Sequence, residues 1–229
     1  MLPEADIGMF SMKQFHQTYE TVSIPVTIDG RTVTLFKPAA IDRFINPDDP
    51  MNHFPLWAKV WEASALLANH LFRLPPEPGK TMLEIGCGLG LVGIAAATAG
   101  HRVTMTEINP DALNFARANT LVNDCPGITI RRLDWNGPQL DDRFDYIVGS
   151  ETVYRNQDIA GLENLFERCL KPGGTIIVAE SVRHTGVAFW ERMQHAFHVQ
   201  ARRQRLRSTE GVHHVVLFRL QRKSDRQHP

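Results

Sequence analysis

The spacing of apolar positions changes along the chain and divides it into predicted strands and helices. Between Val22 and Pro38 apolar and polar residues alternate, and Asp29-Gly30 interrupts the alternation, so we expect a β-hairpin. Between Leu56 and Phe72 apolar residues recur at helical spacing between prolines, which predicts one helix. Residues 1–20 show no strong periodicity, and we expect them to run over the surface.

From Lys80 onward, short apolar runs alternate with helical patterns. The predicted strands are "TMLEIG", "HRVTMTE", "GITIRRLDW", "FDYIVGSE" and "TIIVAES". The predicted helices are "LVGIAAATAG", "PDALNFARANTLVN", "DIAGLENLFERCL" and "GVAFWERMQHAFH". Asn109 and Pro110 mark the start of the second helix. Repeated strand–helix units predict a parallel sheet with helices on both faces.

The C-terminal part breaks this alternation. "VQARRQRLR" and "HHVVLFRLQ" are both strand-like, and "STEGV" between them is too short for a crossover helix, so we expect an antiparallel hairpin from Val199 to Gln221. The predicted fold is α/β: a doubly wound, mostly parallel seven-stranded sheet with an antiparallel C-terminal hairpin strand. A β-hairpin and a helix form an N-terminal extension. We expect the extension at 1–79 to pack on a core at 80–222, followed by a tail at 223–229.

Composition and charge exclude several classes of protein. The 229 residues include 25 basic and 25 acidic side chains, so the net charge indicates neither a nucleic-acid nor an anionic-membrane partner. We find no apolar run of transmembrane length and no signal-peptide pattern. Three widely spaced cysteines favour a cytoplasmic protein without a disulfide framework. His213-His214 lacks a third ligand at recognisable spacing, so no metal site is expected.

The glycine-rich segment from Leu83 to Gly93 fits two nucleotide-binding patterns. Gly88 to Gly93 matches the G-x-G-x-x-G fingerprint of dinucleotide sites, whereas Glu84 to Gly90 reads E-x-G-x-G-x-G. The first pattern predicts a bound pyrophosphate and redox chemistry. The second predicts a different nucleotide-like ligand and different chemistry.

Carboxylates at the strand ends decide between the two patterns. Glu84, Glu107, Asp134 and Glu151 each stand at or just after the end of a predicted strand, where doubly wound folds bind ligands. One such acid alone often caps a helix. Four together would repel a pyrophosphate and attract S-adenosylmethionine, which carries an ammonium and a sulfonium. Glu107 follows Gly86 by 21 residues, near the distance at which an acid accepts ribose hydroxyls.

A family resemblance agrees with this interpretation. "MLEIGCGLGLVGIAAATAG" and "VTMTEINPDALNFARAN" resemble the cofactor half of seven-stranded (class I) S-adenosylmethionine-dependent methyltransferases. "PLWAKVWEASALLANHL", "LDW" and "GSETVY" are similar to motifs of methyltransferase family sixteen, whose characterised eukaryotic members are mostly protein lysine methyltransferases. The likeness covers roughly residues 55–185. The family's D-x-x-Y motif begins with Asp, whereas this chain has Glu151.

The resemblance implies a role for each motif residue. Those implied or expected to bind the cofactor are Trp61, Glu84, Gly86, Cys87, Gly88, Glu107, Asp134, Trp135 and Ser150. Among them, Glu107 would bind the ribose and Trp135 would flank the adenine. Glu151 and Tyr154 would be catalytic and face the substrate, both pointing the same way if the segment turns helically. The alternative is that Glu151 caps the following turn and Tyr154 fills the core.

The two tryptophans not assigned to the cofactor, Trp57 and Trp190, are assigned mainly to packing. Trp57 and Trp61 are four residues apart, which places both on one face of the predicted helix, with Trp57 packing or bordering the substrate mouth. Trp190 lies in a late amphipathic segment and is expected in the core.

The predicted function is transfer of a methyl group from S-adenosylmethionine to the lysine nitrogen of a protein substrate, with S-adenosylhomocysteine as product. The alternatives are a small-molecule or nucleic-acid methyltransferase, and a non-catalytic binding protein that retains the fold. No proline pair of the N-P-P-Y type follows the fourth strand, which disfavours a nucleic-acid substrate. "RRQRLR" is interpreted as a charged edge strand rather than as a nucleic-acid patch.

Overall fold

The computed structural model describes residues 10–49, 54–137, 140–208 and 211–223. Its strands are β1 (Thr21–Ile28), β2 (Arg31–Pro38), β3 (Thr81–Ile85), β4 (Arg102–Glu107), β5 (Thr129–Arg132), β6 (Phe144–Ser150), β7 (Leu170–Ser181), β8 (Phe197–Ser208) and β9 (Gly211–Arg222). Its helices are α1 (Met12–Thr18), α2 (Glu62–Arg73), α3 (Leu91–Thr98), α4 (Pro110–Val122), α5 (Ile159–Cys169) and α6 (His184–Met193). Short 3-10 turns lie at Asp42–Phe44, Leu56–Ala58 and Asn156–Asp158.

Seven strands form one sheet in the order β5-β4-β3-β6-β7-β9-β8, and β1 and β2 form a separate hairpin. The strands from β5 to β7 in this order pair in parallel. β9 pairs antiparallel with both β7 and β8, so β8 runs in the same direction as the parallel strands. The predicted mostly parallel sheet, its antiparallel C-terminal hairpin strand and the N-terminal hairpin are confirmed. β8, which carries "RRQRLR", is an edge strand.

Helices cover both faces of the sheet. α2 and α3 enclose one core, in which Leu67 is fully buried, and α5 and α6 enclose the other, in which Phe166 is fully buried. Because successive side chains of a strand point to opposite faces, β3 contributes Met82 to the first core and Leu83 to the second. The central strand is therefore buried on both sides, as in other parallel sheets.

The N-terminal hairpin is tied to the core through a buried side chain of α4. Asn119 donates from Nδ2 to the carbonyls of Phe36 and Leu89, 3.0 and 2.9 Å away. Its Oδ1 accepts from the Phe36 amide. The division into extension, core and tail stays a prediction, and residues 1–9 and 224–229 lie outside the described residues.

Residues 10–20 depart from the sequence expectation because they contain a helix. The Ser11 side chain accepts a hydrogen bond from the Gln14 amide and caps α1. Phe15 and Tyr19 are buried against Phe115 of α4, with ring centroids 5.0 Å from it in each case. Short helices gain their stability from such tertiary packing rather than from periodicity, which is why the sequence pattern did not indicate this one.

The expected single helix from Leu56 to Phe72 is also wrong in its first part. The chain forms a 3-10 turn at Leu56–Ala58, becomes extended at Lys59 and enters α2 after Trp61. The Trp61 amide donates to the Ser64 hydroxyl, which fixes the start of α2 there. Trp57 and Trp61 therefore do not share a helix face.

Trp190 is 40% exposed and does not lie in the core as expected. α6 instead buries Phe189 and Met193, which are four residues apart on its inner face. Within the described residues, no helix combines the length and apolarity that crossing a bilayer would need.

α3 approaches the sheet most closely at Gly93. A Cβ atom at this position would overlap Oε2 of Glu84 and Sδ of Met105. Both side chains are buried and have no space into which to retreat. The packing of α3 on β3 and β4 therefore requires glycine here.

We expect Gly93→Ala to lower the free energy of unfolding by about 1–3 kcal/mol, the cost of overpacking a close-packed interior. The overlap with two buried side chains places the cost in the upper part of this range, so it exceeds the gain in helix propensity of about 1 kcal/mol. Urea denaturation measures the change. Gly127→Ala is the matched control, because a Cβ at Gly127 meets no atom within 4 Å, and we expect a change within about 0.5 kcal/mol. Equal stabilities for the two variants would contradict this account.

Candidate functional site

A cleft of about 480 Å³ lies at the carboxyl ends of β3, β4 and β6. This volume is within the range of small-molecule sites. Of the residues predicted from the sequence, those that line it are Trp61, Gly86, Cys87, Gly88, Glu107, Trp135, Ser150, Glu151 and Tyr154. Glu84 and Asp134 are not among its lining residues.

The turn after β3 is built from glycines at every second position. Gly86, Gly88 and Gly90 have φ values of +60°, +52° and +86°, a region that residues with a Cβ rarely occupy. A Cβ on Gly86 would lie 3.4 Å from the Trp135 ring, and one on Gly88 would lie 3.2 Å from the Trp57 carbonyl oxygen. The backbone is thus open on the cleft side, and the spacing fits the E-x-G-x-G-x-G pattern.

Glu107, the last residue of β4, holds this turn in place. Its Oε2 accepts from the Gly88 amide at 3.1 Å, and its Oε1 accepts from the amides of Ile108 and Asn109 at 2.8 and 3.0 Å. Burial raises the pKa of this carboxyl, and the three amides oppose the rise. A carboxylate has about four lone-pair positions, so Oε2 keeps one for a ligand hydroxyl in the cleft.

Aromatic side chains form two walls of the cleft. Trp61 is fixed by a hydrogen bond from Nε1 to the Leu56 carbonyl at 2.9 Å, and the Lys59 ammonium lies 5.0 Å from its ring centroid. Trp135 follows β5 and lies over Gly86. Flat aromatic faces on either side of an open backbone are suited to a ring such as adenine.

Two of the four expected strand-end acids do not belong to the cleft. Glu84 is buried beneath α3, and burial raises its pKa to about 8, so it is mostly uncharged at neutral pH. Asp134 is exposed and accepts from the Asn136 amide. The predicted rim of four carboxylates is therefore wrong: only Glu107 and Glu151 of the four line the cleft.

Glu151 lies at the other end of the cleft, just after β6. Its Oε1 accepts from the amide of Ser181 at 3.0 Å and from the hydroxyl of the same residue. Its Oε2 is buried and has no hydrogen-bond partner among the described residues, although Nη2 of Arg183 lies 2.8 Å away. A buried carboxylate needs a compensating charge, and Arg183 supplies it here.

The backbone from Glu151 to Tyr154 is not helical. The expectation that a helical turn would point these two side chains the same way is therefore wrong. Glu151 has a φ of +52°, and residues 152–154 are irregular. Both side chains nevertheless line the cleft. The alternative assignment also fails, because Glu151 binds Ser181 on the neighbouring strand rather than capping a turn.

Three residues that contribute to this end of the cleft, Glu180, Thr152 and Arg183, were not predicted from the sequence. Glu180, near the end of β7, is buried and accepts from the amides of Thr152 and Val153 and from the Thr152 hydroxyl. Thr152 lines the cleft, and Arg183 contacts Glu151. The strand-end rule applied to "TIIVAES" would have found Glu180; no sequence signal indicated Arg183.

Cys87 lines the cleft, but its environment does not activate the thiol. Burial is the largest of the effects that raise the pKa of the Cys87 thiol, so it stays protonated and does not act as a nucleophile. In the part of the chain that the structure describes, no three His, Cys, Asp or Glu side chains are grouped as metal ligands.

The buried Glu84 predicts a pH dependence of stability. Its pKa is about 8 in the fold against an ordinary 4.5, so between these values the unfolded chain releases a proton that the folded chain keeps. Its contribution to stability is complete below about pH 4.5 and is lost as the pH rises through 8. Glu84→Gln should therefore raise the free energy of unfolding by about 1–3 kcal/mol at pH 8 and change it little at pH 4.

Thermal unfolding at both pH values measures this effect. Glu191→Gln, a change of the same kind at an exposed position of α6, should show no such difference between the two pH values. A Glu84 variant with equal effects at pH 4 and pH 8 would show that this carboxyl is ionised in the folded protein.

Comparison with known families gives one family match. A family model described as lysine methyltransferase matches residues 55–196. That range includes the glycine turn, the acid after β4, the tryptophan after β5 and the Glu151–Tyr154 segment.

Curated relatives are methyltransferases that modify proteins. The chain is 34% identical to a histidine protein methyltransferase 1 homolog of Dictyostelium discoideum over 56% of this chain and 44% of the relative. It is 32% identical to mouse EEF1A lysine methyltransferase 3, over 62% and 65% of the two chains. It is 35% identical to zebrafish protein N-lysine methyltransferase METTL21A, over 53% and 58%. The chain thus spans less than two thirds of the length of each of these relatives.

Solved structures share the fold at low sequence identity. A ribosomal protein L11 methylase from Lactobacillus delbrueckii has a TM-score of 0.56 at 18% identity, over 72% of this chain and 81% of that one. TYW2 of Pyrococcus horikoshii in complex with MeSAdo has a TM-score of 0.56 at 15% identity, over 86% and 70%.

Proposed function

The chain belongs to the lysine methyltransferase family, and we propose that it transfers a methyl group from S-adenosylmethionine to the side-chain nitrogen of a lysine in a protein. The observation that carries this proposal is one cleft with the glycine turn and Glu107 at one end and Glu151 with Tyr154 at the other. The first end suits a nucleoside, and the second suits an N–H donor.

The residues at the first end fit S-adenosylmethionine. Gly86 and Gly88 line the cleft with backbone alone, so a ligand can approach this turn closely, and Oε2 of Glu107 has a lone pair for a ribose hydroxyl. Trp135 and Trp61 would border the adenine and the methionine part. Packing of α3 at Gly93 does not distinguish the two glycine patterns, because the third glycine of a dinucleotide fingerprint packs in the same way.

The second end would orient the acceptor. When bound, S-adenosylmethionine supplies a methyl group whose bond to sulfur breaks as the nitrogen lone pair forms the new N–C bond, and sulfur keeps the electron pair. The protein contributes mainly proximity and alignment. The Glu151 carboxylate would accept one N–H of the acceptor, which directs the lone pair away from the carboxylate. Tyr154 would border the acceptor channel, and the proton of the methylated nitrogen would leave to solvent.

Glu107→Ala should weaken binding of S-adenosylhomocysteine by about 1.5–3 kcal/mol, the scale of hydrogen bonds to a charged group. Isothermal titration calorimetry measures the change. Asp134→Ala is the matched control, because Asp134 is exposed and outside the cleft lining, and we expect unchanged affinity. Binding of NAD by the wild-type protein in place of S-adenosylhomocysteine would overturn the cofactor assignment.

The acceptor is tested by tritiated-methyl transfer to a cell lysate, with label counted in protein, nucleic-acid and small-molecule fractions and the modified residue identified by mass spectrometry. Label on protein lysine is expected. Glu151→Gln should lower the rate at least about tenfold, or ~1.4 kcal/mol in the barrier, because the amide nitrogen would present a donor where the acceptor needs an oxygen. Cofactor affinity should be unchanged. Label on another class of molecule, or full activity of Glu151→Gln, would reject the acceptor assignment.

A further inference from the structure

A cation stands beside the carboxylate that we assign to the acceptor. Arg183 lies two residues beyond β7, and its Nη2 is 2.8 Å from Oε2 of Glu151. Its guanidinium carbon is 4.9 Å from the ring centroid of Tyr154. The side chain of Glu151 is 2% exposed and that of Arg183 is 32% exposed, so the pair sits at the boundary between the protein interior and the cleft.

Both oxygens of this carboxylate are held by neighbouring groups. Oε2 is buried and forms an ion pair with Arg183, and Oε1 accepts from Ser181. The charge of Glu151 is therefore compensated by Arg183 at the wall of the cleft.

The groups around the Arg183–Glu151 ion pair add little net charge to it. Glu180 lies behind Glu151, and burial raises its pKa to about 8, so at neutral pH it is mostly uncharged. Burial also raises the pKa of Tyr154, which keeps its hydroxyl protonated. Lys59 and Glu107 line the same cleft, and burial raises the pKa of Glu107.

The net charge beside the acceptor nitrogen affects whether a lysine amine binds there in its protonated or its neutral form. A lysine in water is mostly protonated at neutral pH, and a protonated nitrogen has no lone pair for attack. A carboxylate without a counter-charge would favour the protonated form, and an adjacent cation would favour the neutral form. A site with Glu151 alone would thus bind the acceptor in its unreactive state.

We propose that Arg183 is a positioning residue that keeps the acceptor nitrogen uncharged, by cancelling the charge of Glu151 beside the acceptor. This inference rests on the proposed function, because it concerns the acceptor end of the same cleft. This role requires a positive charge beside Glu151, which neither the glycine turn nor the strand-end acids provide.

The test uses sinefungin, an analogue of S-adenosylmethionine in which a carbon bearing a primary amine replaces the sulfonium and its methyl group. This amine reports the charge at the point of transfer without an acceptor protein. The measured quantity is the Kd of S-adenosylhomocysteine divided by the Kd of sinefungin, for each variant by calorimetry at pH 7. Arg183→Gln should raise this ratio about tenfold, equivalent to about 1.4 kcal/mol, because the protonated amine then meets an unpaired Glu151.

Three further variants make the result specific. Arg183→Lys keeps the charge and should keep the wild-type ratio. Arg183→Met, which removes charge and hydrogen bonding together, should behave as Arg183→Gln. Arg192→Gln is the matched control on α6, because Arg192 pairs with Glu163 at 2.6 Å and is not among the residues that line the cleft; its ratio should not change. The effect of Arg183→Gln should also shrink as the pH rises towards 9.5 and the amine loses its proton.

The outcomes separate this inference from the proposed function. An unchanged or lowered ratio in both Arg183→Gln and Arg183→Met, or a raised ratio in Arg183→Lys, overturns the role of Arg183. If the wild-type protein binds neither compound, the proposed function fails instead. The affinity for S-adenosylhomocysteine shows in each variant that the cofactor end is intact.

Discussion

The site depends on a left-handed reversal of the backbone after the central strand. Gly86, Gly88 and Gly90 all have positive φ, and no other residue could take these conformations in succession without strain. The reversal turns the Gly88 amide towards Glu107 and leaves room for the Trp135 ring on Gly86. The neighbouring strand, its acid and the aromatic wall all contact this one turn, and a side chain at any of these glycines would strain its backbone.

The carboxyl ends of the parallel strands carry less negative charge than the number of acidic residues there suggests. Burial raises the pKa of both Glu84 and Glu180 to about 8, and Arg183 compensates Glu151. Burial also raises the pKa of Glu107, and three amides donate to its carboxyl. Recognition at this edge therefore depends on shape and on directed hydrogen bonds rather than on a strong negative field.

The sequence predicted most of the fold because its pattern is local. Strands, crossovers and the C-terminal hairpin follow from apolar runs and linker lengths, and the turn with its following acid follows from glycine spacing. The argument from four carboxylates was partly wrong, since periodicity does not tell which side of a strand end a side chain faces. Glu84 points under α3 and Asp134 points to solvent. Arg183 could not be found, because its contact with Glu151 depends on how β6 and β7 align.

The position of β9 has a consequence for the order of assembly. β9 follows β8 in the chain, yet it lies between β7 and β8 in the sheet. β8 therefore has no partner until β9 has been synthesised and inserted, and a chain that stops before Gly211 leaves both β7 and β8 with open hydrogen-bonding edges. During translation, the half of the sheet next to Arg183 is completed last. The glycine turn and Glu107 belong to strands that are synthesised early, whereas Glu151 and Tyr154 lie beside the part of the sheet that is completed last.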